Sequence, residues 1–293
     1  MSERILRAGI VQHACQPDAA ANLATSLAGI ESAAAAGAQL VILPELHNHP
    51  YFCRVEDPAQ FDLAEPIPGP TTERLAAAAR ANSIVVVGSL FERRAPGLFH
   101  NTAVVLDRDG RLAGRYRKMH IPDDPAFYEK FYFTPGDLGF EPIDTSIGRL
   151  GVLVCWDQWY PEAARLMALA GAEVLIYPSA IGWDDRDEPD ERARQHGAWQ
   201  TVQRGHAVAN HLPVIASNRV GVEGDGNDRI RFWGASFAVD PQGGLLAEAG
   251  DGAETLIVDL PTGRTESLRR MWPFLRDRRI DAYADLTRRY RDG

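Results

Sequence analysis

Cysteine is scarce in this chain, which has only three in 293 residues. Cys15, Cys53 and Cys155 are too few to build a disulfide framework, so we expect reduced thiols. No apolar run approaches the length of a membrane-spanning helix, and Met1–Arg7 carries no apolar signal segment. These absences predict a cytoplasmic protein that makes no contact with a membrane.

Signatures of metal and nucleotide binding are also missing. Two groups of histidine and cysteine lie close in sequence, but neither spacing matches a zinc pattern, and no CxxC pair flanks them. There is no P-loop and no GxGxxG motif after a strand, so we expect no cofactor and no metal. A formal net charge of −9 argues against a nucleic-acid partner. The two groups are His47, His49 and Cys53, and His206 and His211; Gly221–Gly226 is predicted to be a flexible acidic loop.

Three apolar segments each end at a chemically active side chain. Leu40–Leu43 leads through a proline to Glu45, a short strand leads to Lys118, and Leu150–Val154 leads to Cys155. A helix opened by Pro161 follows the cysteine, and the positive end of its dipole favours a thiolate.

Each of these side chains alone has an ordinary structural explanation. Glu45 is compatible with a helix cap, Lys118 with a solvated strand end, and Cys155 with a buried core cysteine. Together, however, they supply a carboxylate base, a cation for an oxyanion and a thiol nucleophile, which are the parts of an acyl-transfer site. The combination therefore favours catalysis.

The segments around these residues resemble the nitrilase superfamily of carbon–nitrogen hydrolases, from about Arg7 to the C-terminus. The resemblance implies that Glu45, Lys118 and Cys155 form its catalytic triad. The motifs DQW after the cysteine and EKFYF after the lysine are similar to the branch that hydrolyses N-carbamoyl amines. The similar stretches are LPELHNHPYFC, YRKMHIPDDPAFYEKFYFTPGD, CWDQWYPEAARLMALAGAEVLIYPSAIG and GHAVANHLPVIASNRVG.

Strands and helices alternate along the chain, with a hairpin in each of two successive halves. This weak symmetry predicts one α/β domain over residues 1–293, in which two sheets pack together under outer helices. The resemblance implies the same four-layer α-β-β-α sandwich. The predicted strands are Ala8–Gln12, Gln39–Leu43, Ile84–Phe91, Asn101–Asp107, Arg111–Arg117, Leu150–Val154, Glu173–Tyr177, Pro213–Ser217, Phe232–Asp240 and Leu245–Ala249. The predicted helices are Ala19–Ala36, Thr71–Ala81, Glu162–Ala170 and Gln195–Asn210.

Residues 264–293 have a distinct composition, in which arginines alternate with aromatic side chains. Such a mixture is found in nucleic-acid-binding segments. Acidic residues interrupt the arginines here, which favours ion pairing at a subunit contact. The superfamily's use of C-terminal segments in homo-oligomers implies the same role.

Five further residues are candidates for a supporting part in the site. Glu129 lies among aromatic residues and is expected to orient Lys118 and the substrate amide, the alternative being an exposed charge paired with Lys130. Tyr51 and Trp156 are expected in the pocket or, equally, in the core. Two acids of the run after Trp183 are candidates to bind a terminal ammonium, although acidic runs of this kind more often form a solvated loop. Those two acids are Asp184 and Glu188.

The resemblance implies a small carbamoyl amine, N-carbamoylputrescine, as substrate, released as putrescine, ammonia and carbon dioxide. N-carbamoyl-β-alanine or another carbamoyl amino acid is the first alternative, and such a substrate needs a cationic group in the pocket. A non-catalytic binding subunit on the same scaffold is the second alternative. The complete set of Glu45, Lys118 and Cys155 disfavours it.

Overall fold

The structure, a computed structural model, describes residues 4–291, apart from the side chain of Asn227. Its helices span Ala19–Ala35 (α1), Pro70–Asn82 (α2), Glu129–Tyr132 (α3), Pro161–Leu169 (α4), Pro189–Asn210 (α5) and Arg264–Met271 (α6). Its strands span Leu6–Gln12 (β1), Leu40–Ile42 (β2), Val85–Ala95 (β3), Leu98–Leu106 (β4), Leu112–Arg117 (β5), Ile143–Thr145 (β6), Gly148–Val152 (β7), Val174–Pro178 (β8), Gly182–Asp184 (β9), Val214–Ser217 (β10), Val220–Glu223 (β11), Ile230–Trp233 (β12), Phe237–Val239 (β13), Leu245–Glu248 (β14) and Glu254–Leu260 (β15).

Two six-stranded sheets form the middle of the molecule. The first has the order β15-β1-β2-β3-β4-β5 and the second β14-β13-β10-β8-β7-β6. In each, parallel central strands are flanked by antiparallel ones, as in the parallel pairing of β1 with β2 and the antiparallel pairing of β4 with β5. Helices α1 and α2 contact the first sheet, and α4 and α5 contact the second.

Alternating side chains explain why the two sheets stack. Along β1, Ala8 and Ile10 belong to the apolar cluster shared with the second sheet, whereas Val11 packs with α1. Gly9 lets α1 approach, because a Cβ there would lie 2.5 Å from the Cβ of Ala33. Period-two burial on both faces of the sheet produces the layers. The predicted four-layer sandwich is confirmed.

A small third sheet, β11-β12-β9, was not predicted. Asp184 of β9 and Trp233 of β12 line a cavity that is described below. The segment Phe232–Asp240, predicted as one strand, is instead divided between β12 and β13. Gly234 and Ala235, which lie between β12 and β13, have φ of 63° and 52°, and these values interrupt the extended backbone. Part of the loop predicted at Gly221–Gly226 is strand β11. The expected hairpin therefore consists of β13 and β14 only.

Helix α5 begins six residues before the predicted start at Gln195. Pro189 occupies its first turn, where a proline costs no hydrogen bond, and acidic Asp190 and Glu191 follow. Of the acidic run predicted as a loop, Asp184 instead ends β9 and Glu188 is the N-cap residue of α5. No helix within residues 4–291 is long and apolar enough to cross a membrane.

Candidate active site

Glu45 lies just beyond the carboxyl end of strand β2 in the first sheet, where its side chain is wholly buried. Its Oε1 accepts hydrogen bonds from Asn101 Nδ2 at 2.6 Å and from Lys118 Nζ at 2.8 Å. Its Oε2 has no hydrogen-bond partner among the described residues. Because one oxygen is held and the other is free, Glu45 has a defined position for accepting a proton.

Lys118 directly follows β5, with its side chain on the same face as that of Tyr116. Its Nζ donates to Glu45 and also to both carboxylate oxygens of Glu129, at 2.8 and 2.7 Å. Burial opposes the charge of an ammonium, but the adjacent carboxylates outweigh burial and raise the pKa of Lys118 well above its ordinary value. Lys118 is thus a fixed cation in a buried site.

Glu129 is the first residue of the short helix α3 and is buried. Burial raises the pKa of Glu129 from 4.5 to about 7, against the opposing charge of Lys118. Tyr51, also wholly buried, donates its hydroxyl to Glu129 Oε1 at 2.6 Å. The structure thus places Glu129 against Lys118 and not as an exposed partner of Lys130. Tyr51 is placed behind Glu129, and is not among the residues that line the cavity described below.

Cys155 begins a single 3₁₀ turn, Cys155–Trp159, immediately beyond β7. Its φ of 41° is unusual for a residue with a side chain and turns the thiol out of the strand direction. Burial, followed by the charge of Glu45, raises the pKa of Cys155 well above its ordinary value, although Lys118 opposes this. The direction of this shift contradicts the thiolate expected from the sequence, because desolvation and the charge of Glu45 outweigh the charge of Lys118.

A cavity of about 600 Å³ opens onto Cys155. Trp156 and Asp184 line it, as the sequence suggested, whereas Glu188 is exposed at the start of α5 and does not. Asp187, one residue earlier, takes that place. The lining residues are Pro122, Asp124, Pro125, Phe127, Glu129, Cys155, Trp156, Trp159, Ala180, Ile181, Asp184, Asp187, Glu191, Arg194, Gln195, Ala198 and Trp233.

Two residues that hold Glu45 were missed from the sequence. Asn101 binds the carboxylate with its side chain, and its backbone oxygen accepts from Lys118 N at 2.9 Å. Arg219 is wholly buried, and donates from Nε to the backbone oxygen of Glu45 at 3.0 Å and also to Leu46 and His49. Both residues come from strand or post-strand segments with no sequence signal of their own, although the resembling stretch ending SNRVG includes Arg219.

Within residues 4–291, no group of three or more histidine, cysteine, aspartate or glutamate side chains is arranged to hold a metal ion. The crevice does contain reactive side chains of its own. It has a buried thiol, a carboxylate oxygen without a partner, and an ammonium held by two carboxylates. This is the set required for covalent acyl transfer.

Comparison with known proteins agrees with this chemistry. The family model for carbon–nitrogen hydrolases matches residues 7–270. An N-carbamoylputrescine amidase of Solanum lycopersicum is 42% identical over 286 residues, 96% of this chain and 94% of that protein. A citrullinase of Francisella tularensis is 40% identical over 97% of this chain and 99% of its own length. The crystal structure of a carbon–nitrogen hydrolase from Helicobacter pylori G27 has a TM-score of 0.96 and 54% identity, and covers 98% of this chain and all of that one.

The chain therefore belongs to the carbon–nitrogen hydrolase family of the nitrilase superfamily. It is an amidohydrolase. The family resemblance inferred from the sequence motifs is confirmed.

Proposed function

We propose that the protein hydrolyses N-carbamoylputrescine to putrescine, ammonia and carbon dioxide. The observation that carries the proposal is the wall of the cavity at Cys155. Five of its lining residues are acidic, Asp124, Glu129, Asp184, Asp187 and Glu191, against one basic residue, Arg194. An acidic wall suits a substrate that carries an ammonium at the end opposite its ureido group. The similarity to N-carbamoylputrescine amidases supports the same substrate.

In the proposed first half-reaction, Glu45 Oε2 takes the proton of Cys155 while Sγ bonds to the ureido carbon. The carbonyl oxygen becomes an oxyanion, stabilised by Lys118 and the backbone N–H of Trp156. Glu45 then passes the proton to the terminal nitrogen, and the carbon–nitrogen bond breaks to release ammonia. The remaining carbamoyl group is left on Cys155 as a thioester.

In the second half-reaction, Glu45 removes a proton from water as the water oxygen attacks the thioester carbon. The carbon–sulfur bond breaks, the proton returns to Sγ, and the carbamic acid that leaves decomposes to carbon dioxide and the amine. A ureido carbonyl is a poor electrophile, so both proton transfer and oxyanion stabilisation contribute to the rate.

Among the acids of the outer wall, Asp187 and Asp124 are the two that make no ion pair among the described residues, and we take Asp187, which lies beside Asp184, as the first candidate to receive the distal ammonium. Asp184 is already paired with Arg186, and Glu191 is paired with Arg194. The side chain of Asp187 instead accepts only from the neutral amide of Gln195, at 3.2 Å. No cation of the described residues therefore forms an ion pair with Asp187, although Arg186 is close enough to interact with its charge. N-carbamoyl-β-alanine would bring its carboxylate to this acidic wall.

One observation favours a second substrate, citrulline. Citrulline has the same ureido and ammonium groups with an additional carboxylate, and Arg194 on the cavity wall is a cation of the kind that binds one. A citrullinase is also among the similar proteins. The side chain of Arg194 is 67% exposed, however, and is already paired with Glu191. It should therefore bind a substrate carboxylate more weakly than a buried arginine would.

Ammonia release from the three substrates tests the assignment. We expect kcat/KM to be highest for N-carbamoylputrescine, and lower by about tenfold in Asp187→Asn, the change that loss of about 1.4 kcal/mol of binding produces. Glu188→Gln is the matched control, because this neighbouring acid is exposed and does not line the cavity. A preference for citrulline that Arg194→Gln abolishes would establish the second substrate. A preference for N-carbamoyl-β-alanine would overturn both.

We also propose that the chain forms a homo-oligomer through residues 264–291. Large apolar side chains remain exposed there, including Met271 at 79%, Ile280 at 75% and Leu286 at 64%. Several exposed large apolar side chains on one segment favour a protein contact. Light scattering of the purified protein tests it, with the triple variant of these residues to serine expected to shift the mass toward the monomer.

A further inference from the structure

Asp157 lies two residues beyond Cys155, and its wholly buried carboxylate accepts four hydrogen bonds. Its Oδ2 accepts from Val154 N and from the Tyr116 hydroxyl, each at 2.9 Å. Its Oδ1 accepts from His120 N at 3.0 Å and from His120 Nδ1 at 2.7 Å. Neither Asp157 nor His120 lines the cavity, so the carboxylate makes its contacts with the protein and not with substrate.

These contacts join the two segments that carry the nucleophile and the cation. The backbone of Val154 is bonded to Asp157 in both directions, since Asp157 N also donates to Val154 O at 3.0 Å. This encloses Cys155 in a closed turn and holds the residue at its positive φ. On the other side, Tyr116 and His120 are each two residues from Lys118.

His120 completes this connection from a less buried position. Its side chain is 28% exposed, and its ring stacks on that of Tyr160 with centroids 3.7 Å apart and planes 5° apart. The stacking fixes the plane of the imidazole, so that Nδ1 is aimed at Asp157. Aromatic stacking and hydrogen bonding are thus two separable contributions of one side chain.

We propose that Asp157 and His120 are a positioning pair that fixes the thiol of Cys155 relative to Lys118. The pair sets the geometry of attack and does not itself touch the substrate. Errors of about 1 Å in the placement of reacting groups reduce rates by up to about a hundredfold. The inference depends on the proposed cysteine mechanism, although not on the identity of the carbamoyl amine.

Two substitutions of His120 separate the hydrogen bond from the stacking. His120→Phe retains a ring against Tyr160 and removes the donor to Asp157. His120→Asn removes the ring, and its amide nitrogen can occupy about the position of Nδ1. We expect kcat to fall about tenfold or more in the phenylalanine variant, with KM within about twofold, and His120→Asn to recover most of the loss.

Asp157→Asn tests the other half of the pair, because an amide nitrogen cannot accept from the backbone N–H groups that face both oxygens. We expect a similar fall in kcat. Asp107→Asn is the matched control, since Asp107 is a buried carboxylate that accepts from Arg108 N at 2.8 Å and Ser146 N at 3.1 Å, away from the cavity. Its kcat should remain that of the parent protein, whatever the fall in melting temperature.

A second readout does not require substrate. The rate of alkylation of Cys155 by iodoacetamide, followed by peptide mapping, should be several-fold slower in His120→Phe and Asp157→Asn, because the turn that carries the thiol is then no longer fixed relative to Lys118. If Asp157→Asn does not fold, the two His120 variants decide the question.

Two results would overturn the proposal. One is that His120→Phe has the kcat and the alkylation rate of the parent protein. The other is that the kcat of His120→Asn is no higher than that of His120→Phe, which would assign the histidine to packing alone. Failure of the cysteine mechanism can be distinguished from failure of the positioning proposal. If the mechanism is wrong, Cys155→Ala retains activity whatever residue stands at position 120.

Discussion

Tyr51→Phe isolates one hydrogen bond at the centre of the site. The hydroxyl donates to Glu129 Oε1 at 2.6 Å, one of three hydrogen bonds that this carboxylate accepts, the other two coming from Lys118. Burial, and then the charge of Glu129, raises the pKa of Tyr51 well above its ordinary value, so that it remains a donor throughout the working range. Phenylalanine keeps the ring packed against Phe127 and Phe232.

The size of the effect depends on pH, because the hydroxyl binds the ionised carboxylate more strongly than the neutral acid. A hydrogen bond to a charged group contributes about 1.5–3 kcal/mol and a neutral one about 1 kcal/mol. A difference of about 1.4 kcal/mol corresponds to about one pKa unit. Tyr51→Phe should therefore raise the pKa of Glu129 by about one unit above its value of about 7.

The sign of the stability change follows from the direction of the pKa shift. Because the pKa of Glu129 is higher in the folded protein than its ordinary value of 4.5, folding takes up a proton. The stabilising contribution is present below pH 4.5 and is lost as the pH rises through about 7. In Tyr51→Phe this stabilising contribution continues to fall for about one further pH unit, because the pKa of Glu129 is higher by about one unit. The destabilisation should be about 1 kcal/mol at pH 5.5 and about 2.4 kcal/mol at pH 9.

Urea unfolding at these two pH values measures the difference. Tyr177→Phe is the matched control, since Tyr177 is equally buried and its hydroxyl has no partner among the described residues. It should have little effect on stability at either pH. Equal destabilisation by Tyr51→Phe at pH 5.5 and pH 9 would refute the assignment of the raised pKa to Glu129.

Three further predictions concern the groups around Cys155. Cys155→Ser should remain folded by circular dichroism and lose at least about a thousandfold in kcat, since the nucleophile is replaced, and near-parental turnover would contradict the mechanism. Iodoacetamide should inactivate the enzyme through Cys155, which lines the cavity, with slower alkylation in Glu45→Gln and protection by substrate; peptide mapping that finds only Cys15 or Cys53 modified would exclude this. The kcat/KM of the parent should fall as the pH drops below about 7, because Glu129 then gains a proton. Glu129→Gln should be less active, and its kcat/KM should not show this fall at acidic pH. An unchanged fall in Glu129→Gln would assign it to another group.

The features predicted well from the sequence are those set by local pattern. Short continuous apolar runs place β1, β2 and β8 within a few residues of their observed ends. The strand-end positions of Glu45, Lys118 and Cys155 also predict that they meet in one crevice. Glu45 and Lys118 follow strands of the first sheet and Cys155 follows a strand of the second, so this convergence depends both on the shared edge of the strands within a sheet and on the packing of the two sheets.

The features missed depend on contacts between distant segments. Asn101 and Arg219 bind Glu45 from positions 56 and 174 residues away, and local pattern carries no information about such pairs. The thiolate expected at Cys155 failed for the same reason. The helix that follows it is a local feature, whereas the burial that raises its pKa comes from the whole fold.

A buried thiol with a raised pKa is compatible with nucleophilic catalysis because of the charges around it. In the proposed mechanism, transfer of the proton from Cys155 to Glu45 moves one negative charge from a carboxylate to sulfur, so the total charge of the buried site does not change. Once Glu45 is neutral, Lys118 is still held as a cation by both oxygens of Glu129. The ammonium is then free of its first carboxylate and can stabilise the developing oxyanion. Two carboxylates for one lysine thus keep the cation charged at the step that requires it.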